Sequence, residues 1–159
     1  MPNHITNKLY LNGDSKRIEE LKNYIINAET GEVDFNVLEK MPEEYLDDDR
    51  WYDWRIEHWG TKWNAYETEV NGDVITFLTA WSGVPAMVGK LAAAFSDMKI
   101  IYDYADEDFG YNCGEYIYDG LYRMGRHPEP GSEEAMNFAA EVLGYDPRED
   151  EEWLGTIIA

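Results

Sequence analysis

The sequence predicts an α+β fold in which an antiparallel β-sheet carries helices on one face. Strand-like and helix-like hydrophobic patterns alternate along the chain, and an Asn-Gly dipeptide joins two β-rich runs as a hairpin turn would. The composition agrees, because 159 residues that are 44% hydrophobic can bury a core without disulfides or metal. We therefore expect one domain over residues 1–159.

The first strand is predicted over residues 5–11, where apolar and polar side chains alternate, and a turn at residues 12–13 ends it. A helix follows, capped by Asp14 or Ser15, and is expected to stop at residues 29–31. Its apolar stripe consists of Ile18, Leu21 and Ile25.

Residues 29–60 are interpreted as an insertion. We expect a short strand at residues 33–35, a turn into a helix at residues 41–44 and a solvated acidic cluster at residues 47–49. A short helix ended by Gly60 should come next, because aromatic side chains recur on one helical face. These are Trp51, Trp54, His58 and Trp59.

The hairpin is predicted from two β-rich runs, residues 66–70 and 74–81, on either side of Asn71-Gly72. Pro85 suits the first turn of a helix, and residues 99–105 follow as a strand. The apolar side of that helix is formed by Val88, Leu91, Ala92 and Phe95.

The last third is expected to add an edge strand and a helix. Residues 106–110 should form a turn, residues 111–118 a strand that pairs with the preceding one, and the glycine- and proline-rich residues 120–131 a loop. A helix then runs from Ser132 to Gly144. An apolar end is expected to dock on the body through Trp153, Leu154, Ile157 and Ile158.

Without the insertion, the element order is strand, helix, hairpin, helix, strand. That order is typical of the split βαβ, or ferredoxin-like, sandwich. The organisation we expect is a single ferredoxin-like domain with a Trp-rich insertion at about 29–60, an extra edge strand, a C-terminal helix and an acidic segment at about 146–159.

Charge and cysteine content restrict the function. The 33 acidic and 13 basic residues give a net charge of −20, which disfavours direct binding to nucleic acid or an anionic membrane and favours a basic partner. Cys113 is the single cysteine, so neither an internal disulfide nor a four-cysteine cluster is possible, and no metal or cofactor is expected. Without a signal-peptide or membrane-spanning pattern, a cytoplasmic location is expected.

Several short motifs resemble those of the YubB-like proteins of plasmids and bacteriophages. Their order and spacing along nearly the whole chain carry the resemblance: MPNHITN at 1–7, DFN at 34–36, MP at 41–42, WGTKWNA at 59–65, TAWS at 79–82, DEDFGYN at 106–112 and GY at 144–145. Residues 82–85 depart from it, since prolines would be expected sooner. The resemblance implies a ferredoxin-like fold and a mobile genetic element in a bacterial cell, and it implies no enzymatic activity.

Aromatic, lysine and carboxylate residues of three of these motifs form a candidate binding site. The tryptophan rings would hold a flat ligand or a partner, or would instead cover the open face of the sheet. Lys62 would contact an anionic ligand, stack on a ring, or pair with the carboxylates of residues 106–108. The candidates are Trp59, Lys62, Trp63, Asn64, Trp81, Glu107, Asp108 and Asn112.

A second candidate is an acidic surface for a partner. Its carboxylates would be solvated or would imitate the phosphate spacing of DNA. Its residues are Asp47, Asp48, Asp49, Asp146, Glu149, Asp150, Glu151 and Glu152. Residues 106–108, with His58 nearby, would form a divalent-cation site or an acid/base pair, or would instead be a loop. We interpret them as a loop, because consecutive strand residues alternate in direction and a hard cation needs several converging oxygens. No catalytic residue is predicted, and Cys113 is expected to be a small packed side chain.

The function we expect is that of a non-catalytic, cytoplasmic binding protein of a phage or mobile element. Its acidic surface would engage a basic host protein, such as a nucleic-acid-binding or defence complex, and inhibit it. The alternative is a small-molecule or nucleotide-binding protein, possibly an enzyme, with a pocket at Trp59, Lys62, Trp63, Trp81 and Glu107. A third hypothesis is a domain that dimerises through an exposed edge strand.

Overall fold

The computed structural model describes residues 2–149, which form a six-stranded antiparallel sheet in the order β2-β3-β1-β4-β5-β6. The strands are β1 (His4–Asn12), β2 (Tyr66–Asn71), β3 (Val74–Ala80), β4 (Lys99–Asp106), β5 (Cys113–Asp119) and β6 (Tyr122–Arg126). The helices are α1 (Ser15–Ile25), α2 (Arg50–His58), α3 (Pro85–Ala94) and α4 (Glu133–Leu143).

Strands β1 to β4 and helices α1 and α3 have the predicted split βαβ arrangement. β1 lies between β3 and β4 and is antiparallel to both, while β2 pairs with the outer side of β3. β5 and β6 extend the sheet beyond β4. The predicted α+β, ferredoxin-like fold is confirmed.

The main core lies between α1 and α3 and one face of the sheet. The alternation predicted for β1 is present, since Ile5, Leu9 and Leu11 are buried there and pack with Leu21 of α1 and Leu91 of α3. Burying a large aliphatic side chain contributes about 1.5–3 kcal/mol to the free energy of folding, so packing on this face stabilises the sheet.

Helix α4 packs on the opposite face of the sheet. Its predicted ends are confirmed, because the Ser132 side chain accepts a hydrogen bond from the Ala135 N–H and Gly144 ends the helix at φ +81°. Ala135 lies in a small second cluster with Ala105 of β4 and Cys113 of β5. Cys113 is buried there.

The insertion closes one end of the main core with Trp59. This side chain is 1% exposed, and its ring meets the ring of Phe35 at a centroid distance of 5.9 Å. Trp51 and Trp54 of α2 pack beside it. The helix predicted from these aromatic residues is therefore confirmed, and its charged side remains in solvent.

Two local predictions are wrong, one before the insertion and one within it. α1 ends at Ile25 rather than at residues 29–31, because Ile26 turns extended and pairs with Val33 in an isolated bridge. Residues 33–35 form no strand. The Asp34 carboxylate accepts a hydrogen bond from the Asn36 N–H and caps a short 3-10 turn instead.

The loop predicted over residues 120–131 is also wrong, because it contains strand β6. Gly125, one of the residues that suggested a loop, lies opposite Tyr116 of β5. A Cβ atom at Gly125 would approach the Tyr116 ring to 3.0 Å, so the absence of a side chain at Gly125 leaves space for that ring.

The predicted hairpin is confirmed, with Gly72 and Asp73 as its two loop residues and Gly72 at φ +62°. β3 ends at Ala80, so Trp81, predicted as the last strand residue, lies beyond it. None of the helices within residues 2–149 combines the length and hydrophobicity that crossing a bilayer requires. The docking predicted for Trp153, Leu154, Ile157 and Ile158 lies outside the described residues.

Candidate functional site

Three sequence motifs meet at one end of the sheet. The Thr61 hydroxyl donates a hydrogen bond to the Ala80 carbonyl oxygen at 2.9 Å, which ties the segment after α2 to the end of β3. Asn112, just before β5, donates from Nδ2 to the Trp81 carbonyl oxygen at 3.0 Å. Parts of the motifs at residues 59–65, 79–82 and 106–112 therefore form one cluster.

The Lys62 ammonium is held by aromatic rings. Its Nζ lies 4.9 Å from the ring centroid of Trp63 and 5.1 Å from that of Trp81. The pairing with carboxylates of residues 106–108 does not occur, since no acidic side chain of the described chain lies within 4.0 Å of Lys62. The cation–π alternative is the one observed.

Trp81 occupies a strained γ-turn of the rare kind in which the central residue has positive φ. Its φ is +66°, and the Ser82 N–H donates to the Ala80 carbonyl oxygen at 2.9 Å. The Trp81 N–H donates to the Asn3 carbonyl oxygen at 3.0 Å, which helps to hold the turn. The ring is 44% exposed, so the turn presents an indole to solvent at a conformational cost.

The acidic residues of this cluster mostly serve its own backbone. The Asp106 carboxylate accepts hydrogen bonds from the side chains of Asn3 and Asn112 and from the Asp108 N–H. Glu107 accepts a hydrogen bond from the His4 N–H at 2.8 Å. Asp108 is exposed.

Two predicted site residues lie outside this cluster. Trp59 is buried, and its Nε1 donates to the Glu39 carbonyl oxygen at 2.8 Å. Asn64 accepts a hydrogen bond from the Phe35 N–H and donates to Asp34, both in the insertion. Both side chains fix the insertion against the sheet. Their assignment to a binding pocket has no support in the geometry.

His58 is bound in a separate network. Its Nδ1 pairs with a carboxylate oxygen of Glu39, whose other oxygen binds the Lys90 ammonium at 3.0 Å. The hydrogen bond from Lys90 lowers the pKa of Glu39. His58 therefore does not join the carboxylates of residues 106–108. In the part of the chain that the structure describes, no group of three or more possible ligands is placed to hold a metal ion.

The carboxylates of residues 43–57 form an exposed surface, which we call the acidic face. All seven side chains are exposed: Glu43, Glu44, Asp47, Asp48, Asp49, Asp53 and Glu57. Three large apolar side chains lie among them, Leu46, Tyr52 and Ile56. Asp48 is neutralised by Arg50 at 2.8 Å, and the same guanidinium lies over the Tyr45 ring.

A cleft of about 310 Å³ opens on the acidic face. Its walls combine the rings of Tyr45, Trp54 and His58 with the carboxylates of Asp53 and Glu57 and the guanidinium of Arg50. The His58 ring stacks on the Trp54 ring with 4.3 Å between the ring centroids, which orients the Trp54 side chain. Aromatic faces and carboxylates together suit a guanidinium or ammonium group.

The predicted acidic residues near the C-terminus differ from those of the acidic face. Asp146 is half-buried and paired with Arg148 at 2.8 Å, while Glu149 is exposed. Both follow α4 rather than flank α2. Asp150, Glu151 and Glu152 lie outside the described residues.

One pair of carboxyl groups was missed by the sequence reasoning. Asp103 of β4 and Glu115 of β5 are cross-strand neighbours on the face that carries α4. Asp103 is buried, and its Oδ1 has no hydrogen-bond partner among the described residues. Burial and then Glu115 raise the pKa of Asp103 to about 8. An aspartate within the apolar run of residues 99–105 was the signal for it.

Comparison with known proteins places this geometry in a family. The model of the family described as the ferredoxin-like domain in Api92-like protein matches residues 58–146, which contain β2 to β6, α3, α4 and the cluster around Lys62 and Trp81. No curated protein sequence and no solved structure gave a match. Because the family match covers more than half of the chain, the protein belongs to the family of ferredoxin-like domains in Api92-like proteins.

Proposed function

We propose that this protein is a non-catalytic binding protein whose acidic face docks a basic partner. The observation that carries the proposal is the aromatic, carboxylate-lined cleft at Tyr45, Trp54, Asp53 and Glu57. Charge alone would favour any cation. The cleft adds a shape and two flat rings that select an arginine or lysine side chain of a partner protein.

The surroundings of the cleft supply the other parts of a protein interface. Exposed Leu46, Tyr52 and Ile56 offer apolar contact between the carboxylates. Arg50, which lies over Tyr45 and pairs with Asp48, shows that this surface can hold a guanidinium between an aromatic ring and a carboxylate. The carboxylates would accelerate association, and salt would weaken it.

The setting we propose is the cytoplasm of a bacterial cell that carries a phage or plasmid. Support comes from the motifs that resemble the YubB-like proteins and from the net charge of −20. A partner with a basic groove for nucleic acid, such as a host defence complex, fits the acidic face by charge. Occupation of that groove would inhibit the complex by competing with nucleic acid.

The test is capture of bacterial proteins by three forms of the full chain. The triple variant Asp47→Asn, Asp53→Asn, Glu57→Gln removes three charges from the acidic face. The matched control Glu29→Gln, Glu69→Gln, Asp73→Asn removes three exposed carboxylates elsewhere. Both variants have the same net charge, so a difference between them reports position rather than total charge.

We expect a basic, nucleic-acid-binding protein to be retained by the wild type and the control at low salt, to be lost by the first variant, and to be displaced by added DNA. Equal retention by the two variants, or retention that neither salt nor DNA reduces, would overturn the proposal.

A second candidate function is ligand binding at Trp81. The observation that favours it is the strained γ-turn that exposes this indole beside the Lys62 ammonium. Tryptophan fluorescence with a series of nucleotides tests it. A quench that Lys62→Ala abolishes would support this function, and an unchanged signal would exclude it.

A further inference from the structure

The groove between α3 and the β5–β6 hairpin differs in charge from the rest of this acidic protein. It has a volume of about 570 Å³, within the range of sites for small ligands. Two basic residues, Lys90 and Arg123, line the groove. No aspartate or glutamate is among the described residues that line it. The groove therefore offers positive charge to an anion.

The Arg123 guanidinium lies over the rings of two tyrosines. Its guanidinium carbon lies 5.2 Å from the ring centroid of Tyr116 and 5.6 Å from that of Tyr118. In the described chain, no carboxylate lies within 4.0 Å of the Arg123 guanidinium. A guanidinium fixed on aromatic faces keeps its N–H groups available for a phosphate or carboxylate.

Lys90 supplies a second cation from the α3 wall. Its ammonium is bound to Glu39 at 3.0 Å and remains about half exposed. Small residues of α3, Ala86, Gly89 and Ala93, leave the space between the two cations open. An oxyanion at this place would contact side chains from both walls.

Apolar side chains complete the groove at the hairpin. Leu121 is fully exposed and Tyr122 is 61% exposed, both at the turn into β6. An exposed leucine beside a tyrosine is suited to cover a flat ring. The arrangement has an anion-binding part and a part for a planar apolar body.

We propose that this groove binds a small molecule in which a phosphate is attached to a planar aromatic body, of the nucleoside monophosphate class. The phosphate lies between Arg123 and Lys90, and the base lies against Leu121 and Tyr122. This site is separate from the acidic face and from the Lys62–Trp81 cluster.

The test is calorimetric titration of the full chain with the four ribonucleoside monophosphates, with the matching nucleosides and with inorganic phosphate. We expect saturable binding of at least one monophosphate and at least tenfold weaker binding of its nucleoside. Arg123→Ala should weaken the monophosphate at least tenfold, and Ala93→Leu, which fills the groove, should abolish its binding.

The control is Arg126→Ala, on the same strand, where the side chain faces Glu115 and Glu134 instead of the groove. It should leave the affinity unchanged. Absence of saturable binding for all four monophosphates would overturn the proposal. An equal loss of affinity in Arg123→Ala and Arg126→Ala would also overturn it. So would a dimer in solution that Ala93→Leu dissociates, because a second copy of the chain would then cover the groove.

Discussion

The phenol of Tyr102 donates a hydrogen bond to the side-chain oxygen of Asn7 across the buried face of β1 and β4. Both residues are fully buried. The same phenol oxygen accepts a hydrogen bond from the Val84 N–H at 2.8 Å, and Asn7 donates to the Thr79 hydroxyl at 3.0 Å. This network joins three strands to the start of α3.

We expect Tyr102→Phe to lower the free energy of unfolding by about 1–3 kcal/mol, because it leaves the Asn7 oxygen and the Val84 N–H buried without their partner. Urea denaturation measures the change. Tyr24→Phe is the control, since Tyr24 is 40% exposed, and it should change stability by less than about 0.5 kcal/mol. An equal effect of the two substitutions would contradict the role of the network.

Asn7 illustrates how far the sequence could predict the fold. The alternation over residues 5–11 placed Asn7 on the buried face, and a buried amide requires partners. Its main partner, Tyr102, lies 95 positions away, and only the strand order brings the two together. Period and turn signals therefore predicted β1 to β5, whereas the side-chain partners within them depend on packing over long separations.

The candidate site was predictable to a similar extent. Aromatic and polar residues of the motifs at 59–65, 79–82 and 106–112 were expected to act together, and Lys62, Trp81 and Asn112 do lie in one cluster. Composition alone could not predict that Trp59 is buried while Trp63 is only partly buried. That difference depends on the backbone turn at Gly60 between them. The groove at Arg123 was not predictable, because it depends on strand β6. The glycine- and proline-rich sequence of residues 120–131 indicated a loop there instead.

Trp81→Gly should be more stable than Trp81→Ala by about 1 kcal/mol. Both substitutions remove the partly exposed ring, but only glycine adopts a φ of +66° without strain. Thermal denaturation of the two variants gives the difference. A more stable alanine variant would show that the γ-turn opens when the ring is removed.

Two glycines should respond to alanine in opposite directions. At Gly83, a Cβ atom would lie 2.8 Å from Cγ of Tyr104, so Gly83→Ala should destabilise the fold by about 1–3 kcal/mol. At Gly89 the nearest atom, Cε1 of Tyr118, lies at 3.6 Å. Gly89→Ala should therefore stabilise α3 by about 0.5–1 kcal/mol. Urea midpoints of the two variants on opposite sides of the wild-type value are the expected result.

Asp103→Asn should change how stability depends on pH. Burial and the neighbouring Glu115 raise the pKa of Asp103 to about 8 in the folded chain, against about 4 when unfolded. Between these values the unfolded state releases the proton while the folded state keeps it. The free energy of unfolding of the wild type therefore falls as pH rises from about 4 to about 8, at up to roughly 1.4 kcal/mol per pH unit.

Asparagine cannot ionise, so the variant should lose this slope and gain most over the wild type at pH 8 and above. The charged groups around the site, Lys8, Glu115, Arg126 and Glu141, are unchanged in the variant. Urea denaturation at intervals from pH 5 to pH 9 measures both slopes, and Asp119→Asn on the neighbouring strand β5 is the exposed control. If Asp103→Asn and Asp119→Asn both keep the wild-type slope, the proton is not held on Asp103 and the prediction is wrong.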